Sequence, residues 1–307
     1  EPDVGALVAP VLDEAHRTRF ERSGEVDLAY AAEGAGRFRV NVFRHHGGVG
    51  AVFRFIPTRI PSREELRIPA EVERFTGRRS GLVLVAGPTG SGKSSTLAAL
   101  LDLVNRRDAL HVITIEDPIE FVHADDRCTF TQREVGRDTD SFAAALRSAA
   151  RQDPDLILVG EMRDRETIQL ALTLAEMGML VFSTVHTNST ARTVDRIVEV
   201  FPEESQRRIR GMLAGSLRGV LSQTLCRRAD AEGRVPATEL MFSTTGLRSI
   251  IRDGASHKIL SVLQAGRAGG MHTMDDSLFR LARDGVIEGL EAWRKAADKS
   301  RFLTFLS

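Results

Sequence analysis

The sequence predicts an α/β fold in which a mainly parallel sheet is covered by helices. Short apolar runs at residues 82–86, 111–115, 156–159 and 180–185 alternate with helical stretches, and the first run leads directly into Gly87-Pro88-Thr89-Gly90-Ser91-Gly92-Lys93-Ser94. Near-continuous apolar runs suit strands buried on both faces, and their alternation with helices marks a parallel sheet. Ligands on such sheets sit beyond the carboxyl ends of the strands. Here each run is followed at once by polar or glycine-rich residues, so four segments deliver chemistry to one edge.

The bulk numbers narrow the partners. A chain of 307 residues is long enough for two domains and a sizeable core. Formal net charge is zero, so no bulk field favours nucleic acid or an anionic membrane, and no nucleic-acid partner is expected. No apolar run reaches spanning length and no export signal is visible, so a cytoplasmic protein without membrane insertion is expected. Cys128 and Cys226 are too few for a four-thiolate zinc site and read as ordinary thiols.

Taken in order, the first fifty or so residues alternate like antiparallel strands. In residues 37–43, Phe38, Val40 and Val42 share one face and Arg39 and Asn41 the other. His45, His46, Gly47 and Gly48 make a turn, and a second run at 51–56 carries Arg54 among apolar neighbours. A stretch punctuated by Pro57, Pro61 and Pro69 follows, and in it Ser62 and Glu65 have the spacing of a capping box that would start a short helix. The expected organisation is a small N-terminal domain over residues 1–59, a linker over 60–68 and a larger domain over 69–307. The last is read as mainly helical after about residue 202, with an amphipathic helical stretch through Leu225.

Residues 87–94 match the P-loop pattern between a predicted strand and a predicted helix from Ser95 onward, the context the motif requires. Glycines let successive backbone N–H groups face phosphates, and the helix adds its positive end. Lys93 would neutralise the β and γ phosphates of ATP, and the Ser94 hydroxyl would ligate Mg²⁺. Besides Lys93 the chain has only Lys258, Lys295 and Lys299, so a compact ammonium stands where a phosphate needs one in a chain that otherwise uses arginine. The guanine-reading Asn-Lys-x-Asp string of GTPases is absent.

The other strand ends supply acids and a histidine. The run at 156–159 delivers Glu161, which could hold the water shell of Mg²⁺. The run at 111–115 leads into Glu116-Asp117-Pro118-Ile119-Glu120, where Glu116 or Glu120 could orient or deprotonate an attacking water. The run at 180–185 ends at His186, placed to sense or donate to the γ-phosphate.

Read together, these segments resemble the secretion and pilus ATPase superfamily: a Walker A loop at 87–94, an aspartate box at 114–121, a Walker B segment at 153–164 and a histidine box at 178–195. Within it the chain is similar to the retraction (twitching motility) motors of type IV pili. The four-cysteine zinc motif of assembly and type II secretion relatives is missing, the region before the ATPase core is short, and residues 246–253, GLRSIIRD, are similar to the AIRNLIRE motif of retraction motors.

The resemblance implies a RecA-like core with a helical C-terminal subdomain, preceded by a truncated PAS-like domain that begins before Glu1-Pro2-Asp3. It implies roles for Glu120, Glu161 and His186, and arginine fingers at Arg39 and Arg54 reaching the neighbouring subunit. It also implies a homohexamer that hydrolyses ATP with Mg²⁺, peripheral to the inner membrane through a platform protein of the pilus machine. Met179 departs from the pattern, since a histidine is usual there. The weighed alternatives are a pilus-assembly or type II secretion ATPase, a RecA-type nucleic-acid motor and a nucleotide-binding regulator without turnover.

Overall fold

The computed structural model describes residues 4–57 and 59–306. The alternation expected from the start of the chain begins only at Glu25. Before it lie two helices, α1 (Val4–Val8) and α2 (Glu14–Ser23). The Asp13 side chain caps α2 by accepting from the His16 N–H at 2.8 Å. His16 and Phe20, one turn apart, then bury the same face.

Strands β1 (Glu25–Ala32), β2 (Gly36–His45) and β3 (Gly48–Ile56) follow as an antiparallel meander. The turn expected near His45 is present, with His45 paired to Gly48. Val40 and Val42 are fully buried with Val26 and Leu28 under the helices, so Arg39 and Asn41 occupy the opposite face, as the period of two requires.

Between this sheet and the larger unit, Ser62 and Glu65 make both hydrogen bonds of a capping box, at 3.2 Å and 2.8 Å. The expected helix does not follow. Arg67 takes φ 54°, a left-handed conformation that stops a helix after one turn.

The larger unit is a seven-stranded sheet in the order β10-β9-β4-β8-β7-β5-β6. Its strands and helices run as β4 (Gly81–Ala86), α3 (Lys93–Arg107), β5 (His111–Glu116), β6 (Thr129–Glu134), α4 (Phe142–Ala149), β7 (Leu156–Val159), α5 (Arg165–Glu176), β8 (Leu180–Val185), α6 (Thr190–Glu199) and α7 (Glu203–Ser216), then β9 (Leu217–Arg227) and β10 (Arg234–Phe242). The four apolar runs form the parallel strands β4, β5, β7 and β8, and residues 82–86 are entirely inaccessible. Side chains of Ser141, Asp164 and Ser189 cap α4, α5 and α6, which fixes where each connection turns back onto the sheet.

The helix expected through Leu225 stops at Ser216, and residues 217–227 form β9, parallel to β4 and antiparallel to β10. A strand buried on both faces shows no alternation, so its apolar run reads like a helix face. The ladder of β4 decides the matter: β8 pairs with one side of it, and the other side offers residues 217–222 a row of backbone partners. At Gly219 a Cβ would meet the Phe75 ring and the Met241 carbonyl at 2.4 Å, so only glycine lets β9 lie this close.

Helices α8 (Thr245–Asp253), α9 (Ile259–Ala265), α10 (Met274–Arg283) and α11 (Gly289–Lys295) complete the chain. A second apolar cluster joins Cys226 and Val235 of the β9–β10 hairpin to Leu278, Ala292 and Phe302. Both cysteines are buried free thiols. Among the described residues, no helix is long and apolar enough to cross a membrane.

Candidate active site

The carboxyl ends of β4, β5, β7 and β8 open into one cavity of about 260 Å³, lined by Thr89, Gly90, Lys93 and Ser94 of the glycine-rich loop and by Glu116, Glu120, Glu161 and His186. The loop bends sharply at Gly87, where φ is 153° and a Cβ would meet the Gln223 carbonyl and the Ser91 hydroxyl at 2.4 Å. That closeness packs the loop onto β9. Gly92 then caps α3 at its amino end, and the helix axis starts at Lys93.

Lys93 is 8 % exposed, and its Nζ donates to the carbonyls of Gly87 and Pro88 at 2.9 and 3.0 Å. Burial lowers its pKa, while Glu161 and Glu120 act in the opposite direction and favour the ammonium. Pro88, Thr89 and Gly90 form the open rim of the loop. Ser91 is buried beneath it, with its backbone carbonyl accepting from Gln223 Nε2 at 2.6 Å. Ser95, expected with residues 87–94 to bind the nucleotide, lines a neighbouring cavity beside the loop rather than the one at the strand tips.

Across from the loop, Glu161 Oε1 lies 2.7 Å from Arg163 Nε and 3.2 Å from His186 Nε2. Burial would raise the Glu161 pKa, but the Arg163 hydrogen bond and the nearby histidine hold the carboxyl below its ordinary range. The strand tips are tied together beneath this pair: Thr184 Oγ1 donates to the Gly160 carbonyl at 2.6 Å.

The two acids after β5 are placed differently. Glu116 accepts from Thr114 Oγ1 at 2.8 Å, and burial of its carboxyl pushes the pKa up to about 7. Glu120 reaches the cavity on a loop shaped by the cis Asp117-Pro118 bond, with Arg39 Nη1 4.0 Å from its Oε1. Strand β6 templates that loop. Glu134 accepts from the Ile119 N–H at 3.0 Å, and Gln132 joins the His123 N–H at 2.8 Å to the Phe121 carbonyl at 2.9 Å. The His123 ring stacks on Phe130 at 4.7 Å, and burial lowers its pKa to about 4, so it is neutral at pH 7.

The resemblance sends Arg39 and Arg54 to a neighbouring subunit. Within one chain, Arg39 already lines the cavity, because β2 lies over the acidic loop. Arg54 pairs in register with Arg39 on β3 but is exposed and does not line the cavity. Met179 precedes β8 whereas His186 follows it, so residue 179 belongs to the far end of the strand. It packs against the core there, and its carbonyl accepts from Gly81.

Several site residues escape sequence reading. Gln223 of β9 accepts from Thr96 Oγ1 at 3.0 Å while donating to the Ser91 carbonyl, so one buried side chain holds loop and helix together. Glu239 of β10 accepts from the Thr190 N–H at 2.7 Å and so fixes the entrance to α6 just past His186. Both stand on strands that read as helix. Arg37 carries no motif, and Arg163 lies within the segment 153–164 without a role being read for it. Beside the loop a second cavity of about 220 Å³ is walled by Leu66, Ser95, Thr96, Leu225 and Pro236, with Arg67 and Arg228 at hand.

Comparison with known proteins agrees with this geometry. The type IV pilus retraction ATPase PilT of Pseudomonas aeruginosa is 48% identical over 299 residues, which cover 97% of this chain and 87% of that protein. A twitching motility protein of Neisseria gonorrhoeae is 48% identical over 303 residues, covering 99% and 81%. A crystal structure of the pilus retraction motor PilT with bound ADP superposes with a TM-score of 0.89 at 42% identity, covering 97% of this chain and 85% of that one. The resemblance to retraction motors drawn from the motifs is therefore borne out. The family model described as Type II/IV secretion system protein matches residues 29–291, and the chain belongs to that family.

Proposed function

We propose that this chain is a ring-forming ATPase motor that drives type IV pilus retraction, with ATP held against the glycine-rich loop and hydrolysed in the cavity at the strand tips. One observation carries the reading: Lys93, Ser94, Glu120, Glu161 and His186, drawn from four strand ends, line a single cavity. The relatives named for pilus retraction and twitching motility supply the process.

The backbone of residues 87–94 cradles the phosphates, and the Lys93 ammonium leaves the loop carbonyls for phosphate oxygens. Ser94 and, through water, Glu161 are the donors for Mg²⁺. A hydroxyl and a carboxylate in an open cavity suit an ion that keeps several of its waters, and when bound it would neutralise charge on the transferring phosphoryl group. Glu120, exposed to the cavity, orients the attacking water. Glu116, whose carboxyl is half protonated near pH 7, stabilises the turn beneath it. His186 reports the γ-phosphate through Glu161. Arg39 stabilises the developing charge within its own chain, and the exposed Arg54 is the finger left to face a neighbour.

The N-terminal domain, residues 1–59, acts as the PAS-like module over this site, and the segment of 60–68 as the hinge. The ring is a homohexamer working in the cytoplasm against a platform protein at the inner membrane. Exposed Arg248 and Arg252 on α8, whose Leu247 and Ile251 are buried, present the retraction motif to that partner. Sizing the protein with and without ATP alongside phosphate release tests the reading. An ATP-dependent ring with turnover supports it, and binding without turnover contradicts it.

A further inference from the structure

The acidic loop that carries Glu120 is gripped from two sides. From below, Glu134 and Gln132 of β6 take its N–H groups and one carbonyl. From above, the partner is Arg37 of β2, some eighty residues earlier in the chain: its Nη2 donates to the Ile119 carbonyl at 3.1 Å and its Nη1 to the Glu120 carbonyl at 3.4 Å. A planar guanidinium can span two successive carbonyls in this way, whereas an ammonium is a single point. The N–H groups of the loop belong to the ATPase core and these two carbonyls to the N-terminal sheet.

A second contact keeps that sheet in place. Arg19 of α2 lies so close over the turn after β6 that a Cβ on Gly136 would meet its Nη1 at 2.6 Å. The same N-terminal unit therefore touches the turn that follows β6 and the loop that β6 shapes. Lifting it would remove the fork from the peptide groups on either side of the Glu120 Cα, while the bonds that Lys93 and Gln223 make to the phosphate loop would stay as they are.

We infer that Arg37 is a positioning residue: its clamp on the Ile119 and Glu120 carbonyls sets the Glu120 carboxylate, so turnover requires the N-terminal sheet to be seated on its own ATPase core. The inference rests on the proposed role of Glu120 in hydrolysis. It separates nucleotide binding, which needs the core alone, from the chemical step, which needs both units. A shift of about 1 Å in a catalytic group can cost about a hundredfold in rate, so loss of the clamp is sufficient to silence a bound nucleotide.

The test is a double-mutant cycle in the full chain with Arg37→Ala, Glu120→Ala and the pair, reading kcat by phosphate release and affinity by titration with a fluorescent non-hydrolysable ATP analogue. Arg37→Ala is expected to lower kcat about tenfold or more with analogue affinity held within about twofold, and the double variant to be no slower than Glu120→Ala alone. Arg37→Lys, which can reach one carbonyl but not fork across both, is expected between wild type and Arg37→Ala; this guards against a variant that merely unfolds. Additive losses in the double variant, or an affinity loss matching the rate loss, would overturn the inference while leaving the site reading intact. An unchanged kcat in Glu120→Ala would overturn both.

Discussion

Glu161 and His186 meet at 3.2 Å across the tips of the neighbouring strands β7 and β8, and Arg163 holds the same carboxylate oxygen at 2.7 Å. A carboxylate so anchored is fixed in direction before any ligand arrives. This predefined direction suits a group that must hold a metal's water shell rather than chase it.

Lys93→Ala is expected to abolish binding of the triphosphate as well as turnover, because it removes the one lysine in the cavity. Glu161→Gln is expected to leave analogue affinity within a few-fold and to lower kcat by about a hundredfold or more, as removal of a group acting on the developing charge does. Fluorescent-analogue titration with phosphate release checks the pair, and equal losses of binding in both would contradict the division of roles.

Gln223→Leu removes two hydrogen bonds made by a 2 % exposed side chain to the Ser91 carbonyl and the Thr96 hydroxyl. Leaving those groups unpaired costs about 1–3 kcal/mol each. Analogue affinity is expected to fall by about tenfold or more, with kcat changed less because the acids and His186 stand on other strands. A tight-binding Gln223→Leu variant would show that β9 does not hold the loop.

Stability should carry an unusual pH signature from Glu116. Its folded pKa of about 7 lies above its ordinary 4.5, so the folded state holds more protons between those values and stability falls as pH rises through that window. Glu116→Gln should therefore be more stable than wild type at pH 8, by roughly 1–3 kcal/mol, with the advantage fading as pH drops toward 5. His123, lowered to about 4, slopes the other way: its contribution is lost as pH falls from 6.5 toward 4. Urea midpoints of wild type, Glu116→Gln and His123→Phe across pH 5 to 8 separate the two.

Arg248→Glu on α8 changes an exposed side chain whose neighbours Leu247 and Ile251 fill the core. ATPase activity of the isolated protein is expected to stay within about twofold, since surface substitutions perturb stability little. Cells carrying it are expected to keep excess surface pili and lose twitching, as a deletion strain would. Normal retraction would detach α8 from the proposed partner surface.

The parallel strands β4, β5, β7 and β8 were legible because burial on both faces writes itself as apolar runs, and the phosphate loop because its geometry admits few residue types. The same double burial hid β9: nothing between Leu217 and Leu225 distinguishes a covered strand from a helix face, and Gln223 was hidden with it. Residues that act through backbone carbonyls leave still less trace. Arg37 reads as a strand arginine until the fold brings it onto Ile119 and Glu120. Its neighbour Arg39 reads as an arginine finger, and its place in the cavity of its own chain follows only from the fold, since no spacing in the sequence tells a contact within a chain from a contact between copies. At Ser62 and Glu65 the local signal was read correctly and its hydrogen bonds form, yet Arg67 turns the chain away one step later.

A crystal structure with Mg²⁺ and a non-hydrolysable ATP analogue tests the central claim most directly. The account expects the terminal phosphate between Lys93 Nζ and the acidic loop, with the metal beside the Ser94 hydroxyl and both Glu161 and His186 facing the same phosphate. An analogue whose triphosphate meets Lys93 while Glu161 and His186 line a separate cavity would contradict it.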